Sequence, residues 1–391
     1  MLDQNDMARP RALATWLVAL AVALGGCAHH RAGGRTVVMD PIVFTAGKGG
    51  TVEVQDPAEP FTRAAEAYAQ NRYEEALALF DRIADDLPGS QHARASLYNA
   101  GLALEQLGRR AEAVARFRKL ADEHPDSTEA LDALFRLGSN LVLLKDWAAS
   151  EAAFARILAQ KGLTLSDQIE AHARIGEARF QRGQLDAAEQ ILHQMRELQR
   201  RHAEEERLDT DYFLAMGVFY LAEISHAQYR LLPVRLPQRR LEDDLEAKAR
   251  MLLLAQQRYV DAMRVKHAEW ATAAGFRIGA LYREFYDDLV GAPIPEALQG
   301  DAREVYREEV KKKVRNLLLK AVAFHEKNVL LAERTGEKND WVRRSNAELE
   351  ELRRLLEPGA AAAPRPADDG DAPPPPPLPP PRDVGGARTT M

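Results

Sequence analysis

Cysteine is almost absent: Cys27 is the one cysteine in 391 residues, which excludes an internal disulfide and any cysteine-rich metal site. An excess of one charge is missing too, because 53 Lys and Arg stand against 59 Asp and Glu for a net −6. That balance gives no reason to expect a nucleic-acid partner, whose phosphates demand a basic surface. Lys311, Lys312 and Lys313 sit among acidic residues and read as a solvated helix face. Long hydrophobic runs are lacking, since the most apolar stretch, residues 13–24, is too short to span a bilayer comfortably. No HExxH, Gly-rich phosphate loop or Gly-x-Ser-x-Gly stands in the chain, so neither an enzyme nor a cofactor or metal requirement is expected. What remains is a middle rich in Ala, Leu, Glu and Arg and poor in Gly and β-branched residues, the mixture used by long amphipathic helices.

The chain opens with Arg9 and Arg11 around Pro10, followed by the apolar run and the small residues Gly25 and Gly26 before Cys27. A basic start, a short apolar core and small residues at the cut make an export signal over residues 1–26. Leu24, Gly25, Gly26 and Cys27 together resemble the bacterial lipobox. The resemblance implies a diacylglycerol on the Cys27 thiol, removal of the signal, acylation of the new amino terminus and stable membrane anchoring. Ala28 is not the Asp linked with inner-membrane retention, which favours the periplasmic face of the outer membrane. Residues 27–60 lack helical periodicity and read as a flexible tether. Strand-like stretches at 36–39, 42–45 and 51–54 flank a Gly-rich turn, so a small ribbon or addition to a partner's sheet edge stands beside the plainer reading of an unstructured linker.

The middle of the chain repeats itself. Ala76, Ala113 and Ser150 recur at a spacing of 37, each with a Phe four residues later at Phe80, Phe117 and Phe154. Gly101 and Gly138 stand twelve residues before Ala113 and Ser150, and a fourth unit carries Gly176, Gly183, Ala188 and Leu192. Pro88 and Pro125 follow the first two Phe-bearing segments and end a helix there, because proline cannot continue the hydrogen-bond ladder. Ser90 and Asp126 are N-cap candidates for the helices that follow, with Glu129 completing a capping box on Asp126. Two helices approach closely only where one side chain at the crossing is small, and an aromatic one turn along fills the remaining space.

This pattern resembles the tetratricopeptide repeat, whose units are helix–turn–helix hairpins of a helix A and a helix B. The resemblance implies an all-α, right-handed α-solenoid of such hairpins. Repeats would occupy 61–207, a divergent helical-repeat region 208–357, and a Pro-rich tail 358–391. In the divergent region helices are expected from Tyr212, over 241–267, over 304–333 and over 341–356, with a loop near 231–238. Phe276, Gly279 and Tyr282 look like part of a helix A, and Gly291, Pro293 and Pro295 end it. Aromatics here lie at helical spacing and are expected in the core. The tail, with proline at 373–377 and 379–381 around Leu378, is suited to polyproline II: a spacer, or a segment that docks on an aromatic groove.

Repeats of this family bind extended peptides on the concave face made by the A helices. One subgroup clamps a C-terminal carboxylate; Asn99 and Arg136 fall at two of the matching positions, but Phe61, Ala65 and Asp132 occupy the others, so the clamp does not carry over. Tyr98, Asn99, Arg136 and Arg174 are the candidates for the concave surface. The resemblance implies a lipid-anchored interaction scaffold for an envelope protein partner, held to the membrane through Cys27, with its oligomeric state open. Repeat lipoproteins of gliding motility are one type; barrel-assembly (BamD-like) factors, a cell-wall or division adaptor, and an accessory to a cell-wall enzyme are the alternatives.

Overall fold

The computed structural model describes residues 43–46, 52–55 and 57–357. Cys27, the export signal, the stretch 36–39 and the Pro-rich tail lie outside them. Two units are distinguished, residues 1–57 and the rest of the chain. In the first, β1 (Val43–Ala46) pairs antiparallel with β2 (Val52–Gln55), placing Val43 opposite Gln55 and Ala46 opposite Val52. The backbone thus takes the ribbon reading of this stretch, each strand one residue later than its sequence suggests.

The second unit is a run of thirteen helices among the described residues. They are α1 (Ala58–Ala69), α2 (Tyr73–Asp86), α3 (Gln91–Gln106), α4 (Arg110–Glu123), α5 (Thr128–Leu143), α6 (Trp147–Leu158), α7 (Leu165–Gln181) and α8 (Leu185–His202). Longer helices follow: α9 (Tyr212–Leu231), α10 (Gln238–Arg264), α11 (Ala268–Val290), α12 (Asp301–Thr335) and α13 (Asp340–Leu355). Helix α1 starts ahead of Pro60, earlier than the expected tether boundary. The reason is that a first-turn N–H has no intrahelical acceptor, so proline is tolerated there. A second correction concerns α5, whose N-cap is Ser127 and not Asp126: the Ser127 hydroxyl accepts from the Ala130 amide at 3.2 Å.

Consecutive helices pack as antiparallel hairpins, giving an α-solenoid of tetratricopeptide-like units. The small residues act as the sequence pattern requires. A Cβ built on Gly101 would lie 2.6 Å from the Phe117 ring, one on Gly138 2.6 Å from Phe154, and one on Gly176 2.3 Å from Leu192. Each of the first three A helices also gives an aromatic to the B helix of its hairpin at the 37-residue period. Phe61–Phe80, Tyr98–Phe117 and Phe135–Phe154 meet edge to face at 5.7, 5.7 and 6.2 Å, the arrangement that aligns a ring's positive edge with its neighbour's negative face. The A-to-B turns of the first four hairpins share a left-handed residue: Asn71 (φ 60°), Gly108 (73°), Lys145 (58°) and Gly183 (72°).

Helices α1 and α3, α3 and α5, α7 and α9, and α9 and α11 approach one another directly. No successive pair of B helices packs comparably. The A layer is therefore the more tightly curved, inner side. On the outer side α2, α4 and α6 are joined by an ion-pair ladder: Asp81–Arg116 at 2.8 Å, Asp85–Lys119 at 3.3 Å and Asp122–Arg156 at 2.8 Å.

Candidate functional site: the polar seam of the A helices

The inner layer is not uniformly apolar. Between α3 and α5, Glu105 accepts from Asn140 Nδ2 at 2.5 Å and from Arg136 Nη1 at 3.4 Å, all three side chains being buried. The long Arg136 contact matters: burial raises the Glu105 carboxyl, and the attraction of Arg136 and the Asn140 hydrogen bond do not offset it. Tyr98 lies beside them, 4% exposed and packed on Phe117, its hydroxyl pushed up to about 12 by burial. It fills the core position that Phe61 and Phe135 fill in neighbouring units. Asn99, on the same helix, is half-exposed, as is Asp132 on α5. Arg174 on α7 is 2% exposed; its guanidinium donates to Glu177 at 3.0 Å and lies 5.3 Å over the Phe213 ring. Tyr220 on α9 donates to the other Glu177 oxygen at 3.1 Å. Of the four inner-face candidates, then, Asn99 is half-open to solvent, Tyr98 is packed in the core, and Arg136 and Arg174 are buried in ion pairs.

The seam continues between α9, α10 and α11 as a denser network. Arg277 holds Glu223 with both a 2.7 Å Nε contact and its terminal nitrogen. Burial alone would raise the Glu223 carboxyl, but the bidentate guanidinium outweighs it and keeps the group below the usual carboxylate range. Tyr259 also donates its hydroxyl to Glu223. Its oxygen must then accept from His226 Nδ1, 3.0 Å away, while His226 Nε2 faces a Glu284 carboxylate oxygen at 3.0 Å. His226 thus bridges Tyr259 of α10 and Glu284 of α11 through its two ring nitrogens. Arg230 brings its guanidinium to the other Glu284 oxygen at 2.6 Å. Burial opposes the charge on Glu284, yet His226 and Arg230 hold its carboxyl well below the usual range. Beside this network, Asp288 takes Lys248 at 3.0 Å and the Tyr229 hydroxyl, whereas its neighbour Asp287 turns to Arg283 at 3.0 Å.

Sequence reasoning missed Glu105, Asn140, Glu223, His226, Arg277 and Glu284. A signal for part of the set exists: Glu223, His226 and Arg230 are spaced three and four apart in an otherwise apolar α9, which places them on one face. Among the described residues no group of three or more His, Cys, Asp or Glu is arranged to hold a metal, and the seam's carboxylates are occupied by cations.

Residues 95–127 match the family model described as tetratricopeptide repeat. No curated protein matches the chain. Among solved structures the chain is similar to MamA from Desulfovibrio magneticus, at 18% identity over 54% of this chain and 96% of that one, with a TM-score of 0.36. It is also similar to a tetratricopeptide repeat protein from Parabacteroides merdae, at 14% identity over 75% of this chain and 98% of the other, TM-score 0.37. A third is the C-terminal part of a repeat-containing protein from Cytophaga hutchinsonii, at 14% identity over 74% and 87%, TM-score 0.39. The matched residues run from α3 through the end of α4 and the following turn, and that hairpin is a repeat of the tetratricopeptide type.

Proposed function

We propose that the protein is a lipid-anchored, non-enzymatic interaction scaffold of a bacterial envelope assembly, its partner bound along the inner face of the A helices. The observation that carries the reading is the A layer itself. A tetratricopeptide-type hairpin stands in a longer stack whose inner helices are held by buried ion pairs, so the half-exposed Asn99 and Asp132 sit on rigid elements. A surface fixed before binding loses little entropy when a partner arrives. In this reading Arg136 and Arg174 set the inner surface by holding Glu105 and Glu177, and Tyr98 supports it from the core. The lipobox-like run ending at Cys27 supports membrane attachment, and the stretch of about thirty residues between it and the first helix supports reach. Gliding motility is the assembly we favour, with barrel assembly and cell-wall or division machinery as the competing settings.

A crosslinking pulldown from membranes tests this, with Cys27→Ser as control. Recovery of one set of motility, barrel-assembly or division proteins identifies the setting, and recovery of none contradicts the scaffold. Cys27→Ser is expected to leave the membrane fraction; a variant that stays there without detergent contradicts the anchor.

A further inference from the structure

Helices α10 and α12 do not pack closely on each other; α11 lies between them and forms the floor of an outward-facing groove. One wall carries Leu253, Gln256 and Val260 of α10, Leu253 being 59% exposed. The other carries half-buried Leu317, Phe324 and Leu331, seven residues apart and hence on one stripe of α12. Half-buried Phe324 forms the aromatic floor, backed by the buried Tyr282 of α11, whose ring stacks on it at 5.6 Å and 13° and whose hydroxyl donates to Gln256 Oε1 at 2.6 Å. Two exposed lysines stand over these rings, Lys320 Nζ 5.2 Å from the Tyr282 centroid and Lys327 Nζ 5.7 Å from that of Phe324. Among the described residues neither has a carboxylate within ion-pair distance, although Lys311 and Lys312 on the same helix pair with Glu308 and Glu309. An aromatic floor with unneutralised cations at its rim fits an extended, proline-rich and acidic segment.

The chain itself carries such a segment. The described residues end at 357, next to Leu356, whose carbonyl accepts from Arg315 of α12 at 3.3 Å. Arg315 is five residues before Lys320, and the exposed Leu319 (46%) lies between them. Beyond 357 come Asp368, Asp369 and Asp371, then proline at 373–377, Leu378 and proline at 379–381. The eleven residues from 357 to Asp368 extend to roughly 35 Å, while the α12 cylinder to be crossed is roughly 10–12 Å wide.

We propose that residues 368–381 dock in the α10–α12 groove of their own chain, with the aspartates against Lys320 and Lys327 and the proline run on Phe324 and the apolar walls beside it. The contact lies on the outer face and does not depend on the inner-face reading. Its test places the photoreactive residue benzoylphenylalanine at position 378 of the full chain. The expected result is crosslinking within one chain to residues 253–260 and 317–331. Lys320→Glu combined with Lys327→Glu should lower the yield at least fivefold, and Lys320→Arg with Lys327→Arg should keep it. Unchanged thermal melting of both double variants excludes unfolding as the cause. Crosslinks scattered over other helices, or a yield indifferent to charge reversal, overturn the proposal. So do crosslinks that join an isotope-labelled copy to an unlabelled one, which would make the occupant a second chain.

Discussion

The first hairpins and the last solve one packing problem with opposite chemistry. In α3–α4 and α5–α6 a glycine opens the A helix and a phenylalanine fills the hollow. In α11, Gly275 and Gly279 open the helix in the same way, but a Cβ there would meet Asn328 Oδ1 and His325 Nε2, each at 2.3 Å. Asn328 donates to the Thr272 carbonyl and to Ser345 Oγ, both at 2.9 Å, so the polar filler also ties α13 to α11. An apolar knob contributes transfer energy and tolerates a shift of register. A polar knob contributes less but fits where its hydrogen bonds close, and so specifies one alignment of three long helices. The small residue sets how close two helices come, and the residue opposite sets how uniquely they align.

The largest effect that would sharpen this contrast is expected in the seam at α9–α11. Arg277→Met leaves the buried Glu223 charge uncompensated and should cost about 3–5 kcal/mol in chemical unfolding. Adding Glu223→Leu should recover most of that loss; a double variant as unstable as the single would break the account.

Next comes pH. Burial pushes the His325 imidazole down to about 4 from 6.5. Between these values the unfolded chain takes a proton that the folded chain refuses, so stability falls on acidification, by about 3 kcal/mol in full. Above pH 6.5 both states are neutral and the effect vanishes. Glu223 and Glu284, held below the usual carboxylate value of 4.5, add losses only below that value, where the unfolded carboxyls take protons that the folded ones refuse. Denaturant midpoints measured from pH 7 to 4 should show the first slope, and His325→Gln should flatten it.

A smaller effect tests the apolar hollows directly. Gly138→Ala drives a methyl into the fully buried Phe154 ring and should cost about 1–3 kcal/mol despite alanine's better helix propensity. At Gly217 the neighbouring atom is the flexible end of Met195, so Gly217→Ala should cost under about 1 kcal/mol. Equal melting temperatures for the two variants would contradict the knob-and-hollow reading. Similarly small and opposite in sign, Lys145→Gly relieves a left-handed backbone at an A–B turn and should raise stability by up to roughly 1 kcal/mol.

Much of the solenoid was legible because its small residues and phenylalanines repeat every 37 positions, and because proline stops helices for a reason that does not depend on context. The turns were harder to see: of the four left-handed positions only Gly108 and Gly183 are glycines, and Asn71 and Lys145 carry no such mark. The N-cap of α5 was misplaced by one residue because Asp126 and Ser127 are both good caps, and local chemistry does not choose between them. The inner face was legible as a layer but not in its detail. Arg136 and Arg174 look like free basic groups in a sequence, and their acceptors, Glu105 from the preceding hairpin and Glu177 one turn along α7, are ordinary helix carboxylates until the helices stack. The network at His226 joins residues up to 58 positions apart, beyond what periodicity reports.

The central claim is that the A layer, and not the ion-paired outer face, receives the partner. Benzoylphenylalanine placed at Asn99 on α3, and separately at Arg82 on the exposed side of α2, tests it most directly in intact cells. The account predicts a crosslinked envelope protein from position 99 and none from 82. The same product from 82 in equal yield, or no product from 99, would contradict it.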